Sequence, residues 1–127
     1  MIKLTLPGTV RIKKNNRRIF RIGKQNKSLP SKAYEQWEYD SRIIIKPQLI
    51  EQLYGLIDCP LRIKAIFYYK GQRPDLQGAF ESLADCLEGI IYKDDKQIES
   101  WDGSRLVHDL KNPRTEVWIS KYTEELL

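Results

Sequence analysis

Alternating apolar and polar positions indicate where this chain is expected to form strands. Residues 2–6 alternate strictly, as in a strand that buries only one face. Residues 61–69, LRIKAIFYY, are rich in β-branched and aromatic side chains and predict a second strand. Residues 90–93 predict a further strand, with residues 97–101 as its continuation or hairpin partner, and residues 115–120 predict the last strand. The pattern therefore predicts a small sheet.

A first helix is expected between the basic N-terminal region and the second strand. Ser31 is a good N-cap, and apolar residues at helical spacing run from Lys32 to about Lys46. Pro47 then either ends this helix or opens a short second one that runs through Tyr54 and stops at Gly55.

A second helix is predicted directly after the second strand. Asp75 follows Pro74 at the N-cap position, and Gly89 is a suitable C′ residue for its end. The apolar stripe of this helix consists of Leu76, Phe80, Leu83, Ala84 and Leu87. Another face, at helical spacing, carries Gln77, Glu81, Asp85 and Glu88. The helix is thus amphipathic, with acids along one side.

The length and composition favour one domain over residues 1–127. No apolar run of 18 residues occurs, so no membrane contact is expected. The N-terminus lacks the pattern of a secretory signal. Cys59 and Cys86 have no metal-ligand or disulfide spacing around them, which suits free thiols in a reducing cytoplasm.

The charges are divided unevenly along the chain. Residues 1–34 contain ten Lys or Arg and no acid, whereas residues 35–127 contain 12 basic and 17 acidic side chains. Such a basic arm, within residues 1–30, suits a polyanionic partner, although a solvated tail has the same composition. Its conformation is open between a hairpin and a mobile loop, and apolar residues Ile12, Ile19, Phe20 and Ile22 suggest that it is anchored to the body. The residues of this arm that are candidates for binding a polyanion are Lys13, Lys14, Asn15, Asn16, Arg17, Arg18 and Arg21.

Acidic residues flank the second helix. Asp75 lies at its start, and Asp94-Asp95 end the strand that is expected to follow it. A strand–helix–strand unit can bring these points together at one end of a sheet, where carboxylates could hold Mg²⁺ for phosphodiester cleavage. The ordinary alternative is a helix cap at Asp75 and a turn at Asp94-Asp95. A single histidine, His108, argues against zinc, and no motif for a small-molecule cofactor occurs.

The stretch RPDLQGAFESLADCLEGIIYKDDKQI, from Arg73 to Ile98, resembles the central signature of the RusA family of Holliday junction resolvases. That signature is roughly Arg-(Pro)-Asp-x-Asp-Asn, a helix with a lysine and a later aspartate, then glycine and a strand ending in Asp-Asp-x-Gln. The resemblance implies a single small α+β domain, with a mixed β-sheet and two main helices packed on it. It also implies a homodimer that binds four-way DNA junctions and makes paired nicks with Mg²⁺ or Mn²⁺.

Site residues follow from the resemblance position by position. Asp75 matches the first signature aspartate, Asp85 the helix aspartate, and Asp94 and Asp95 the terminal pair, with Asp95 the expected metal ligand. The metal site would therefore consist of Asp75, Asp94 and Asp95, and Arg73 would join the arm in contacting phosphates.

Two positions depart from the family pattern. Gln77 replaces the second catalytic aspartate and is followed by Gly78 instead of asparagine, and Glu81 replaces a functionally important lysine. Gln77 and Glu81 share a helix face, so Glu81 could supply the missing charge while Gln77 offers an amide oxygen. The catalytic set would then be Asp75, Asp95, Glu81 and Gln77, and the lysine's role would pass to Lys93 or Lys96, or be absent.

Three functions remain open from the sequence. The first is a junction-resolving endonuclease in which water attacks the phosphodiester. The second is a junction-binding or DNA-packaging module that kept the fold and lost catalysis at Gln77. The third is a metal nuclease for flaps or other branched DNA.

Overall fold

The computed structural model describes residues 1–49, 52 and 55–123, and in them it shows seven strands and two α-helices. A single 3₁₀ turn, Asp95–Gln97, precedes the fifth strand. In chain order the elements are β1 Ile2–Pro7, β2 Arg18–Ile22, β3 Gln25–Leu29, α1 Lys32–Leu49, β4 Leu61–Tyr69, α2 Leu76–Leu87, β5 Ile98–Ser100, β6 Arg105–His108 and β7 Arg114–Lys121.

The main sheet is mixed, as the family resemblance implies. Its strand order is β1-β7-β4-β5, and β6 also pairs with β4. β7 is antiparallel to both β1 and β4, whereas β5 and β6 run parallel to β4. A parallel pair needs a crossover connection, and α2 provides it between β4 and β5. The α+β class expected from the sequence is therefore confirmed.

The core lies between one face of the main sheet and the two helices. Alternate residues of the strands point into it, such as Leu4 and Ile63, and they meet Tyr34 of α1 and Leu83 of α2. Fully burying a side chain such as Leu83 contributes about 1.5–3 kcal/mol to folding. Cys86 is a free thiol in this core, and burial raises its pKa to about 12.

The prediction of a strand at residues 90–93 is wrong. Gly89, in a left-handed conformation, turns the chain at the end of α2, and Tyr92 forms only isolated bridges with Glu88 and Ile57. Tyr92 is fully buried, and its hydroxyl donates a hydrogen bond to the Ala84 carbonyl. These apolar residues thus cover the end of α2 instead of extending the sheet.

The segment that follows holds two short strands. β5 confirms the strand expected at residues 97–101, but its partner is β4 and not residues 90–93. β6 was not expected, because the sequence around it is rich in turn residues. Between β5 and β6 the Ser104 hydroxyl accepts a hydrogen bond from the Ala65 N–H at 2.9 Å, which keeps this edge of β4 satisfied.

Both predicted helix starts are confirmed, and the first helix is longer than expected. The Ser31 hydroxyl accepts a hydrogen bond from the Tyr34 N–H at 3.1 Å. α1 continues through Pro47, where the side-chain amide of Gln48 donates to the Thr5 carbonyl at 3.0 Å and ties the helix end to β1. The expected short helix up to Tyr54 lies largely outside the described residues. Among those described, no helix has the length and apolar character needed to cross a membrane.

The basic arm forms a separate two-stranded sheet from β2 and β3. The structure thus decides for the hairpin. Ile12, before the hairpin, is buried, but Ile19, Phe20 and Ile22 within it are exposed. The expectation that these three residues anchor the arm is therefore wrong, since the contact with the body is made by the chain around Ile12.

Candidate metal centre and nucleic-acid interface

Asp75 is the N-cap of α2. Its carboxylate accepts a hydrogen bond from the Gly78 N–H at 2.9 Å. Gly78 is buried, and a Cβ added there would lie 2.8 Å from Cγ2 of Ile12. The chain before the hairpin thus packs directly on the first turn of α2, which gives a steric reason for glycine where the family pattern has asparagine.

Asp94 and Asp95 begin the 3₁₀ turn before β5, and they have different environments. The Asp94 carboxylate accepts the Lys96 N–H at 2.9 Å, and the Gln97 side chain accepts the Asp94 N–H at 2.9 Å. The hydrogen bond from the Lys96 N–H lowers the pKa of Asp94. The pKa of Asp95 is raised, first by partial burial and then by the neighbouring Asp94 and Glu88 carboxylates. The Asp94 carboxylate is thus already used as a hydrogen-bond acceptor in the turn, whereas the negative charge of Asp95 is disfavoured by its neighbours.

Glu88, the C-cap of α2, completes a cluster with this pair. Carboxylate oxygens of Glu88, Asp94 and Asp95 all lie within 4.8 Å of one another, and Glu88 accepts the Asp95 N–H at 3.1 Å. A set of oxygen donors is what Mg²⁺ prefers, and a cation would relieve the repulsion that raises the pKa of Asp95. These residues therefore fit a divalent metal. Sequence reasoning placed Glu88 on the acidic helix face but did not assign it to the metal site.

The expected meeting of Asp75 with Asp94-Asp95 at one end of the sheet is wrong. Asp75 follows the last residue of β4, whereas Asp94 and Asp95 precede β5, which is parallel to β4. They therefore lie at opposite ends of α2, whose 12 residues span about 18 Å. The expectation failed because residues 90–93 do not form the strand that would have carried the pair to the other end.

A groove along α2 connects the two ends. It has a volume of about 570 Å³, and Phe80 stacks on Trp101 in its wall with ring centroids 4.5 Å apart. Its polar lining consists of Gln77, Glu81, Asp85 and Asp95. A second cavity, of about 190 Å³, is lined by Asp75, Gln77 and Glu81 together with Lys14. Gln77 and Glu81 thus face both cavities and link Asp75 to the groove that contains Asp95.

Lysines of the arm bind the acidic face of α2. Lys14 Nζ lies 3.0 Å from a carboxylate oxygen of Glu81, and Lys13 Nζ lies 2.8 Å from Asp85. The Lys13 N–H also donates to the Ser82 hydroxyl at 3.0 Å. These contacts join residues 67 to 72 positions apart, and they place an ammonium group at Glu81. By contrast, Lys93 pairs with Asp58 at 3.4 Å.

The remaining arm cations differ in their partners. Arg18 forms an ion pair with Glu35, and Arg17 donates to the Ser28 hydroxyl at 2.7 Å across the hairpin. Arg21 donates to the Gly23 carbonyl at 3.3 Å and has no acidic partner among the described residues. Asn15 and Asn16 form the turn before the hairpin, with Asn16 in a left-handed conformation.

Arg73 precedes Asp75 in the chain, whereas α2 follows it. It is exposed and lines a cavity of about 630 Å³, together with Arg11, Lys70 and Asp75. Asn15 and Asn16 also line this cavity. A cationic surface therefore adjoins the N-cap of α2, where a phosphate could approach the carboxylates.

A comparison with protein-family models gives a match over most of the chain. The family described as endodeoxyribonuclease RusA matches residues 7–120 of the 127-residue chain. The match covers β2, β3 and both helices, and in the main sheet it covers β4, β5, β6 and all but the last residue of β7. No curated protein sequence matches the chain significantly.

Proposed function

We propose, because the chain belongs to the RusA family of endodeoxyribonucleases, that it resolves Holliday junctions by paired, metal-dependent nicks. The observation that supports this best is the set of acids along α2. Glu81, Asp85 and Asp95 line the groove, Asp75 lines the smaller cavity that shares Glu81 with it, and Glu88 and Asp94 cluster with Asp95. One domain over residues 1–127, in the cytoplasm, would carry the whole activity.

Asp95, Asp94 and Glu88 would hold the ion, which we propose to be Mg²⁺ with Mn²⁺ as a substitute. When bound, such an ion lowers the pKa of a water nucleophile and stabilises the leaving oxygen. Asp95 is the principal ligand in this proposal, because Asp94 already accepts the Lys96 N–H in the turn. Asp75 would act at the opposite end of the groove and not as a ligand of the same ion.

Glu81 and Gln77 occupy the middle of the groove in this proposal. The Glu81 carboxylate supplies the charge that Gln77 lacks, and Gln77 offers an uncharged amide to the substrate. Lys14, which Glu81 holds at 3.0 Å, presents an ammonium group to a phosphate at this point. The lysine role, which the sequence left between Lys93 and Lys96, would therefore belong to Lys14 of the arm.

A fixed four-way junction tests the function directly. The protein is bound to it in EDTA, Mg²⁺ is then added, and we expect two symmetric nicks. Because paired nicks need two sites in one particle, we also expect sedimentation near twice 15.0 kDa. Gln77 favours one alternative, a binding module without catalysis. Binding with no nicks in Mg²⁺ or Mn²⁺ would establish that alternative, and cutting of flaps alone would replace the junction as substrate.

The arm is expected to contribute phosphate contacts through its unpaired cations. Arg21→Gln should reduce the slope of log K against log salt by about 0.9 for one lost contact. Arg18→Gln is a matched control, since it removes the same charge from the same hairpin but from a side chain that already pairs with Glu35. Binding of a junction in EDTA, measured at several salt concentrations, checks this. Equal slopes for both variants and the parent would show that Arg21 is merely solvated.

A further inference from the structure

The main sheet has a second face that no helix covers in the part of the chain that the structure describes. Residues opposite each other in register share a face of a sheet. Leu4 and Val117 are such a pair, and they belong to the core beside the helices. The next row therefore lies on the other side, and it consists of Lys3, Trp118 and Lys64. We call this side the open face, and it comprises the side chains in register with Arg114, Glu116, Trp118 and Ser120 of β7.

The open face is strongly cationic. Among the described residues of β1, β4, β6 and β7 on this face, the acid is Glu116, which binds Arg114 at 3.2 Å, and Arg114 also pairs with Asp109 at 3.2 Å. The other cations of the face lie on β1, β4 and β6, and no described carboxylate forms a salt bridge with them. They are Lys3, Arg62, Lys64 and Arg105. Four positive charges thus remain uncompensated on one side of a small sheet.

Three of these four cations lie over aromatic rings, and the Cζ atom of Arg62 lies 5.9 Å from the centre of the Tyr122 ring. The Nζ atoms of Lys3 and Lys64 lie 5.4 and 5.1 Å from the centre of the Trp118 ring, one on each neighbouring strand. Ile66 of this face is only 3% exposed although it is not part of the core cluster, so neighbouring side chains of the face must cover it. The cations are therefore supported by a packed layer, with their charged ends at the surface.

The open face continues toward the candidate site. β4 ends at Tyr69, and the residues that follow it line the large cavity of about 630 Å³. Arg11, Lys70 and Arg73 line this cavity together with Asp75. The Lys70 N–H donates to the Thr9 hydroxyl at 3.0 Å, which fixes this connection. Positive side chains thus follow one path from the sheet, over its edge, to the first turn of α2.

We propose that the open face binds the phosphate backbone of DNA. A DNA duplex that extends from the candidate site past the C-terminal end of β4 would lie on this face. The identification of the polyanion as branched DNA rests on the proposed function. The binding of a polyanion is inferred from the cations and aromatic rings of this face. A second copy of the chain is the less suitable occupant. A two-fold contact through the open face would place its cations against the same cations of the partner.

The test removes three exposed cations from the face, in the variant Lys3→Gln, Lys64→Gln, Arg105→Gln. The control Lys32→Gln, Lys46→Gln, Lys121→Gln removes the same charge from exposed positions that do not belong to the open face. Binding to a four-way junction of oligonucleotides is measured in EDTA across a range of salt concentrations. We expect the first variant to bind at least about tenfold more weakly at 100 mM salt, with a slope lower by about 2 to 3 units. The control should keep the parent's slope.

Further measurements separate the possible explanations. The variant Lys3→Arg, Lys64→Arg, made in the parent protein, keeps both positive charges and should bind the junction as tightly as the parent does. This result would show that the glutamine variant loses phosphate contacts and not the structure of the sheet. Equal binding by the first variant and the control would overturn the proposal. So would a change in sedimentation mass of the first variant alone, because it would make the face an interface between copies. Weaker binding together with a parent that never nicks would leave this proposal standing and refute the nuclease.

Discussion

Asp95→Asn and Asp75→Asn are each expected to reduce junction cleavage by at least about a hundredfold, while binding in EDTA stays equal or improves. Loss of groups that only support a metal ligand already costs 10- to 100-fold, so loss of the proposed ligand Asp95 should cost at least the upper value. For Asp75, at the other end of the groove, the expectation rests on its carboxylate lying beside the cationic surface that we propose a phosphate approaches. Binding should not suffer, because each variant removes a negative charge from a surface that we propose faces DNA. Cleavage with Mg²⁺ and binding without it are measured on the same junction.

The two substitutions test different parts of the groove. Asp75 caps α2 through the Gly78 N–H, and asparagine caps a helix equally well, so Asp75→Asn removes the charge with little change in stability. Asp40→Asn, on the exposed surface of α1, is the control for loss of one carboxylate. If Asp75→Asn cleaves like the parent, Asp75 is only a helix cap. If Asp95→Asn does so, the cluster with Glu88 is not the metal site.

Glu81→Gln is expected to lower kcat nearly as much as Asp95→Asn, by about 10- to 100-fold, without weakening binding. The physical reason is that Glu81 is the carboxylate shared by the two cavities beside Gln77. Lys14→Gln breaks the same ion pair from the other side and should instead weaken binding, since it removes an ammonium group from the path of the phosphates. Opposite effects on affinity would show that the two groups act separately.

Restoring the family pattern extends this test. The double change Gln77→Asp, Glu81→Lys should leave an active enzyme, because it returns the carboxylate to the first position and the lysine to the second. If Glu81→Gln cleaves like the parent, Glu81 is an ordinary surface residue that binds Lys14. If the parent never cuts but Gln77→Asp does, the chain is a binding module that lost catalysis at Gln77.

Local sequence determined the elements whose stability depends on neighbouring residues. Alternation predicted β1, the β-branched and aromatic run predicted β4, and both helix starts followed from Ser31 and Asp75 as caps. Such signals act within a few residues of the chain, through side-chain period and capping hydrogen bonds. They were sufficient for the α+β class and for the acidic face of α2.

Only the tertiary structure decided how these elements form a site. Residues 90–93 have the composition of a strand, but Tyr92 is buried against the end of α2 and makes only isolated bridges, so Asp94 and Asp95 lie at the end of α2 opposite Asp75. The short strand β6 exists because β4 offers it an edge. The pair of Lys14 with Glu81 joins residues 67 positions apart. Contacts between distant parts of the chain depend on the complete packing, which no local pattern of residues contains.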